Sequence, residues 1–181
     1  MRECWESCDM KVVVITGNLS RPSKTRAVAD FMVDRVRASG NEASCWDLVD
    51  LHPHLGATVL PSSAAEIVKA ALNDILASDV LVVGSPVYKA SYTGLLKHLF
   101  DLVDMKALKG RYVIPFATGK ASSHKPLVEA SMEALFDFFE AQIHSRFIFA
   151  LDEDFQNDAL SENLRALVDR ELDAARRAVS P

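Results

Sequence analysis

The sequence lacks three features that would each place it in a well-defined class of protein. Its only cysteines, Cys4, Cys8 and Cys45, are not the even, regularly spaced set that a disulfide framework needs. No apolar run is long enough to span a bilayer, and the start has no apolar core of a signal peptide. No basic stripe outweighs the net charge of −5. We therefore expect a cytoplasmic protein that binds neither membranes nor, in general, nucleic acid.

The chain is organised around residues 11–26, which predict a strand, a loop and a helix. Residues 12–15 are an unbroken β-branched run, typical of a strand that is buried on both faces in a parallel sheet. From Ala27 onward, apolar residues recur at the spacing of one helix face. An anion is favoured at such a helix N-terminus, because free backbone N–H groups and the helix dipole both attract negative charge. Hydroxyls and cations converge there: Ser20, Arg21, Ser23, Lys24 and Thr25.

The same loop has a plainer interpretation, and it lacks the glycine-rich motifs of nucleotide-binding proteins. Capping of the helix by Ser23 or Thr25 would account for the hydroxyls equally well. The Gly-Lys-Ser/Thr ending of a Walker loop is missing, and Gly17 is the only glycine, so Gly-x-Gly-x-x-Gly is missing too. If the loop binds an anion, a single phosphate ester is therefore favoured over a dinucleotide pyrophosphate.

The rest of the chain repeats the strand-then-helix pattern and predicts an α/β fold. Four further strands are predicted at 42–48, 80–84, 111–119 and 146–151, and helices follow the strands to give five of each. Right-handed crossovers then produce a doubly wound parallel sheet with helices on both faces, and we expect the strand order 2-1-3-4-5. Residues 10–181 are expected to form one domain, and residues 1–9 a disordered extension before Met10.

Three loops of this predicted sheet follow strands one, three and four, which are neighbours in the order 2-1-3-4-5. Ligands of doubly wound sheets collect at the carboxyl ends of the strands, so these loops would form one crevice. The second loop, 85–94, carries Tyr88 and Tyr92, whose flat rings would either seal the edge of the core or contact a planar ligand. The third loop, 120–124, follows Gly119.

Two local patterns carry further expectations. Pro115 lacks a backbone donor, so it predicts a bulge or irregular pairing in the fourth strand. His52 and His54 flank a proline in what we expect to be a solvated loop reaching Ser63, because no thiol or carboxylate cluster beside them completes a metal site. No catalytic triad or metal site is predicted from the sequence.

Together the three loops resemble the NAD(P)H-dependent FMN reductases of the flavodoxin-like superfamily. The similarity is closest to the reductase components of two-component alkanesulfonate and methanesulfonate monooxygenases, and it covers nearly the whole chain from Met10. The motifs that carry it are Gly17…Arg21-Pro22-Ser23-Lys24-Thr25, then Ser85-Pro86-Val87-Tyr88-Lys89-Ala90-Ser91-Tyr92-Thr93-Gly94, then Ala117-Thr118-Gly119…His124.

The resemblance implies a flavodoxin-like fold and hydride transfer from NADH or NADPH to FMN. It further implies supply of FMNH2 to a partner monooxygenase and assembly as a homodimer or homotetramer. The alternatives are an FMN-bound quinone or azo-compound reductase that oxidises NAD(P)H, and a flavodoxin-type electron carrier. Since the flavin performs the hydride chemistry, no catalytic side chain is expected.

The resemblance also assigns roles to the residues of the three loops. The first loop would hold the FMN phosphate, the second would border the isoalloxazine ring with backbone N–H groups near N5 and O4, and the third would approach the pyrimidine end. This sequence departs from the family where Lys120 replaces a second glycine, where the loop arginine comes one residue later, and where Ala130 and Ser131 stand near the position of an interface tyrosine. The implied cofactor-binding residues are Ser20, Arg21, Ser23, Lys24, Thr25, Pro86, Val87, Tyr88, Lys89, Thr118 and Gly119.

Overall fold

The computed structural model describes residues 10–143, 146–156 and 159–179, so the predicted extension at residues 1–9 lies outside the described residues. The strands are β1 (Lys11–Thr16), β2 (Glu42–Asp47), β3 (Val80–Pro86), β4 (Tyr112–Gly119), β5 (Ile148–Leu151), β6 (Phe155–Gln156) and β7 (Ala159–Leu160). The helices are α1 (Lys24–Ala38), α2 (Leu48–Leu55), α3 (Glu66–Ala77), α4 (Gly94–Asp101), α5 (Lys125–Phe138) and α6 (Glu162–Val179).

The main sheet has five parallel strands in the order β2-β1-β3-β4-β5, which confirms the predicted fold. Alternate residues of β1 face opposite sides, as the two-residue period of a strand requires. Val12 and Val14 pack in the core formed with α1 and α6, whereas Val13 and Ile15 pack with α2, α3, α4 and α5. Both faces of the strand are therefore covered, which explains its unbroken apolar sequence.

The segment predicted as a loop around His52 is instead the helix α2, so that prediction is wrong. Leu48, Leu51 and Leu55 lie on one face of the segment and are fully buried. The Asp47 side chain caps the helix by accepting a hydrogen bond from the Val49 N–H at 2.9 Å. Burial of three leucines and the cap outweigh the single hydrogen bond that a proline inside the helix forgoes.

The bulge predicted at Pro115 is also absent, because β3 and β4 pair without a break from Val80↔Tyr112 to Pro86↔Thr118. Val113 donates its N–H away from β3, to Gln142 O at 2.9 Å. Pro115 lies two residues further along and so points its nitrogen to that same side. Pairing with β5 starts only at Phe116, so the proline interrupts no ladder hydrogen bond.

Two apolar residues in the second half of the chain differ from what helical spacing predicts. That spacing places Leu160 on the last helix, but it lies in β7, which pairs with β6 in an antiparallel two-stranded sheet. The same spacing places Leu127 on the buried face of α5, but it is 53% exposed. Short strands of two residues carry too little pattern to be predicted from sequence.

Candidate functional site

A groove of about 320 Å³ lies at the carboxyl ends of β1, β3 and β4, where the three loops meet. We call it the strand-end groove. Larger cavities of about 480 and 520 Å³ lie along α3–α4 and α4–α5, but neither is lined by residues of the first or the third loop. The strand-end groove is lined by Ser23, Lys24, Thr25, Pro86, Val87, Tyr88, Thr118, Gly119, Lys120, His124 and Asp152.

The N-terminus of α1 forms one end of this groove. Ser23 is its N-cap, with extended backbone at φ −144° and ψ 128°, and its Oγ accepts a hydrogen bond from the Arg26 N–H at 3.3 Å. Thr25 is fully buried, and its Oγ1 lies 2.7 Å from Thr118 Oγ1 at the end of β4. Ser23 therefore caps the helix, as the plainer interpretation predicts, and it also lines the groove.

A buried hydroxyl network fixes the first loop to the second. Thr93 donates its hydroxyl to Gly17 O at 2.8 Å, and its N–H bonds to Ser85 Oγ at 3.1 Å. Gly17 in turn donates its N–H to Gly84 O at 2.7 Å. A Cβ on Gly17 would lie 2.9 Å from Thr93 Oγ1, so the two loops approach this closely only with glycine there.

The second loop ends in a tight turn whose central residues have left-handed backbone. Tyr88 and Ser91 exchange both backbone hydrogen bonds, at 2.8 and 3.0 Å, and between them Lys89 and Ala90 have φ values of 51° and 66°. Two positive φ values in succession are the requirement of a type I′ turn, which glycine and asparagine normally fill. The turn holds Tyr88 at the groove, with its side chain 48% exposed.

Ala90→Gly is therefore expected to raise the free energy of unfolding. Relief of left-handed strain is worth about 1–2 kcal/mol, and the greater freedom of an unfolded glycine offsets about 0.5–1 kcal/mol of it. We expect a net gain of roughly 0.5–1 kcal/mol in urea denaturation followed by circular dichroism. Ala130→Gly, an exposed site inside α5, is the matched control and should lose about 1 kcal/mol. Equal losses in both variants would contradict the strain assigned to this turn.

Two of the three backbone N–H groups in segment 86–89 of the second loop are bonded within the protein. Val87 donates its N–H to Thr118 O at 2.9 Å, and Tyr88 donates to Ser91. Pro86 has no N–H to offer. Of this four-residue segment, only the N–H of Lys89 makes no hydrogen bond within the described residues.

Arg21 points its guanidinium at two aspartates and does not line the strand-end groove. Its Nη1 and Nη2 reach the two oxygens of Asp50 at 3.1 and 2.6 Å, and its Nε lies 3.0 Å from Asp47 Oδ2. Hydrogen bonding to Asp50 raises the pKa of Arg21, and the same bonds hold the pKa of Asp50 below its ordinary value. This pair therefore stays ionised at neutral pH.

Asp47 is the fully buried anchor of the first loop. It accepts hydrogen bonds from Asn18 Nδ2 at 3.0 and 3.2 Å in addition to those from Arg21 and Val49. Through these hydrogen bonds the Asp47 carboxylate ties the loop after β1 to the start of α2. The loop is thus held in place before any ligand arrives.

The structure brings most of the predicted site residues to the groove and leaves Ser20, Arg21 and Lys89 outside its lining. Asp152 lines the groove but was not predicted. Its signal in the sequence is its position one residue after β5, because β5 is the neighbour of β4 in the sheet and ends at the same edge.

Other kinds of site find little support in the described part of the chain. Burial raises the pKa of Cys45 to about 11, so this thiol is protonated and unreactive at neutral pH. No group of three or more His, Cys, Asp or Glu side chains among residues 10–143, 146–156 and 159–179 is placed to hold a metal ion. Over the same ranges, no helix has the length and apolar character needed to cross a membrane.

Known proteins that are similar to this chain include several flavin reductases. Residues 10–156 match the family model of the NADPH-dependent FMN reductases. The chain is 36% identical over 160 residues to FMN reductase (NADPH) of Pseudomonas aeruginosa, covering 87% of this chain and 86% of that protein. It is 36% identical over 155 residues to the NADH-dependent FMN reductase SfnF of Pseudomonas putida, covering 84% and 83%. The solved apo structure of the NADH:FMN oxidoreductase EmoB superimposes with a TM-score of 0.82 and 27% identity, covering 94% and 90%.

Proposed function

The chain belongs to the NADPH-dependent FMN reductase family, and on that premise we propose that its strand-end groove binds FMN and a reduced nicotinamide. The observation that carries the proposal is the meeting of the α1 N-terminus with the ends of β3 and β4 at one groove. Bound there, FMN would supply the hydride-accepting ring, with NADH or NADPH as the hydride donor. The protein needs only to hold the two molecules in contact and keep water away.

The residues of the groove fit a flat ring that carries one phosphate. The phosphate fits the α1 N-terminus, where Ser23 offers a hydroxyl, Lys24 a cation, and the first helical turn its free N–H groups. The ring fits the other end, where Val87 and Tyr88 present apolar surface. We further propose that Ser20 and Arg21 act on the phosphate from outside the groove lining, which for Arg21 requires release of Asp50.

Lys89 is the proposed source of the backbone donor to the ring. Because the N–H groups of Val87 and Tyr88 are bonded within the protein, the free N–H of Lys89 is the one that this segment can direct at flavin N5 or O4. A fixed donor at that position favours negative charge on the reduced ring. Thr118 and Gly119, on the neighbouring strand end, are proposed to contact the pyrimidine edge.

We also propose how the protein assembles and which kind of protein accepts its product. Met105, just after α4, and Phe138 of α5 line the 520 Å³ cavity and are 58% and 62% exposed, which favours a homodimer or homotetramer built on that face. We propose a flavin-dependent monooxygenase as the acceptor of FMNH2. The cytoplasmic location stays a prediction.

Steady-state assays with FMN and riboflavin test the phosphate end of the groove. Riboflavin lacks only the phosphate, and loss of two charge-assisted hydrogen bonds worth about 1.5 kcal/mol each would lower kcat/KM by roughly 100-fold. Each flavin is assayed with NADH and with NADPH, because the names of the relatives are divided between the two. Equal kcat/KM values for FMN and riboflavin would overturn the assignment.

The same assay separates the reductase from its alternatives. A reductase that releases its flavin oxidises NAD(P)H in proportion to added FMN. Full activity with tightly bound FMN and added quinone would identify a quinone reductase instead, and flavin binding without NAD(P)H oxidation would identify an electron carrier.

A further inference from the structure

Lys24, the groove lysine that belongs to α1, already has an anionic partner. Its Nζ lies 2.9 Å from Asp152 Oδ1 and 5.3 Å from the centre of the Phe155 ring. Lys24 and Asp152 both line the strand-end groove, with side chains 39% and 54% exposed. A phosphate that approaches the start of α1 therefore meets a lysine whose charge is compensated by a carboxylate in the same groove.

The other cation of the first loop is compensated as well. Arg21 is bonded to Asp47 and Asp50 and does not line the groove. Lys24 and Arg21 together face three aspartates, so neither brings an unpaired positive charge to an incoming phosphate. Within the first loop and the start of α1, attraction for the phosphate then depends chiefly on hydroxyls and on backbone N–H groups.

We propose that Asp152 sets how tightly the groove holds the flavin phosphate, by competing with the phosphate for Lys24 and by repelling it. The inference rests on the proposed function of the strand-end groove. Asp152 determines affinity and residence time and takes no part in the hydride step. Its carboxylate favours rapid exchange of FMN, which a reductase that passes reduced flavin to another protein requires.

Coulomb's law sets the size of the effect. In water-like surroundings, the repulsion between a dianion and a single negative charge about 6 Å apart changes an equilibrium constant by roughly tenfold. Asp152→Asn removes that charge and frees Lys24 while it keeps the size of the side chain. We expect the Kd for FMN to fall about tenfold, mostly through slower dissociation, whereas the Kd for riboflavin stays within about twofold.

The experiment measures flavin binding by the full-length protein through quenching of flavin fluorescence, with dissociation followed by stopped-flow displacement. Glu153→Gln is the matched control, because it removes one negative charge from the adjacent exposed residue, which does not line the groove. Asp152→Ser serves as a second variant, and circular dichroism confirms that each protein is folded. The fall in Kd for FMN caused by Asp152→Asn should be smaller at about 500 mM salt than at about 20 mM, because Lys24 and Asp152 are both partly exposed.

The outcomes separate this inference from the proposed function. Tighter FMN binding in Asp152→Asn, with unchanged riboflavin binding and an unchanged control, supports the role of Asp152. Unchanged FMN binding in the variant, or equal tightening for FMN and riboflavin, overturns that role and leaves the reductase proposal standing. Failure of the unaltered protein to bind FMN would overturn both.

Discussion

Gly84→Ala is expected to lower the free energy of unfolding by about 3 kcal/mol, the upper end of the usual cost of overpacking a core. Gly84 pairs with Phe116 across β3 and β4, and the fully buried ring lies over the glycine. A Cβ at Gly84 would stand 1.9 Å from Phe116 Cζ and 2.1 Å from Cε1. The ring cannot retreat, because it is enclosed in the core between α1 and α6.

The measurement is urea denaturation of the variant beside Gly94→Ala. Gly94 begins α4, and nothing lies within 4 Å of a Cβ placed on it, so this control should stay within about 0.5 kcal/mol of the parent or gain slightly. Phe116→Leu combined with Gly84→Ala should recover part of the loss, since the two costs share one contact. If Gly84→Ala and Gly94→Ala were equally stable, the ring would not lie over Gly84 as described.

Ser23→Asp is expected to cut kcat/KM for FMN by roughly 100-fold, which corresponds to about 2.7 kcal/mol of repulsion between the new carboxylate and the proposed phosphate. Aspartate caps a helix as well as serine does, so α1 should remain intact and the melting temperature nearly unchanged. The change therefore adds charge to the groove without loosening the loop. Turnover with riboflavin, which has no phosphate to repel, should be unaffected.

Ser23→Asn is the matched control for this prediction, because it keeps the cap and the size of aspartate but carries no charge. Its kcat/KM for FMN should stay within a few-fold of the parent. The two variants are compared by steady-state assays with both flavins and by thermal denaturation. Equal losses for FMN and riboflavin in Ser23→Asp would show that the α1 N-terminus does not face the phosphate.

Strong local patterns made the sheet and most helices predictable from the sequence. Residues 12–15 and 80–83 are apolar without interruption because both faces of the strands are buried, and no surface helix has that pattern. The sequence of α2 predicts a loop because proline disfavours a helix interior, whereas burial of its three leucines stabilises the helix. Pro115 pairs regularly because its nitrogen faces away from β3, on the side where pairing with β5 starts only at Phe116. This depends on the neighbouring strands and cannot be derived from the local sequence.

Strand order predicts which loops meet at the site, but it does not predict the contacts of the individual side chains. The sheet order places the ends of β1, β3 and β4 side by side, which gathers Thr25, Val87 and Thr118 at one groove. The partners of the charged side chains depend on three-dimensional neighbours. Arg21 binds an aspartate of α2, a helix that was not predicted, and Lys24 binds Asp152 beyond the last strand of the main sheet.

A crystal structure of the protein saturated with FMN tests the central claim most directly, since the claim is that the strand-end groove holds a singly phosphorylated flat ring. The account predicts the phosphate within hydrogen-bonding distance of Ser23 and the backbone N–H groups at the start of α1, and the ring against Val87 and Tyr88. Flavin bound in the α3–α4 or α4–α5 cavity, with the α1 N-terminus facing solvent, would contradict it.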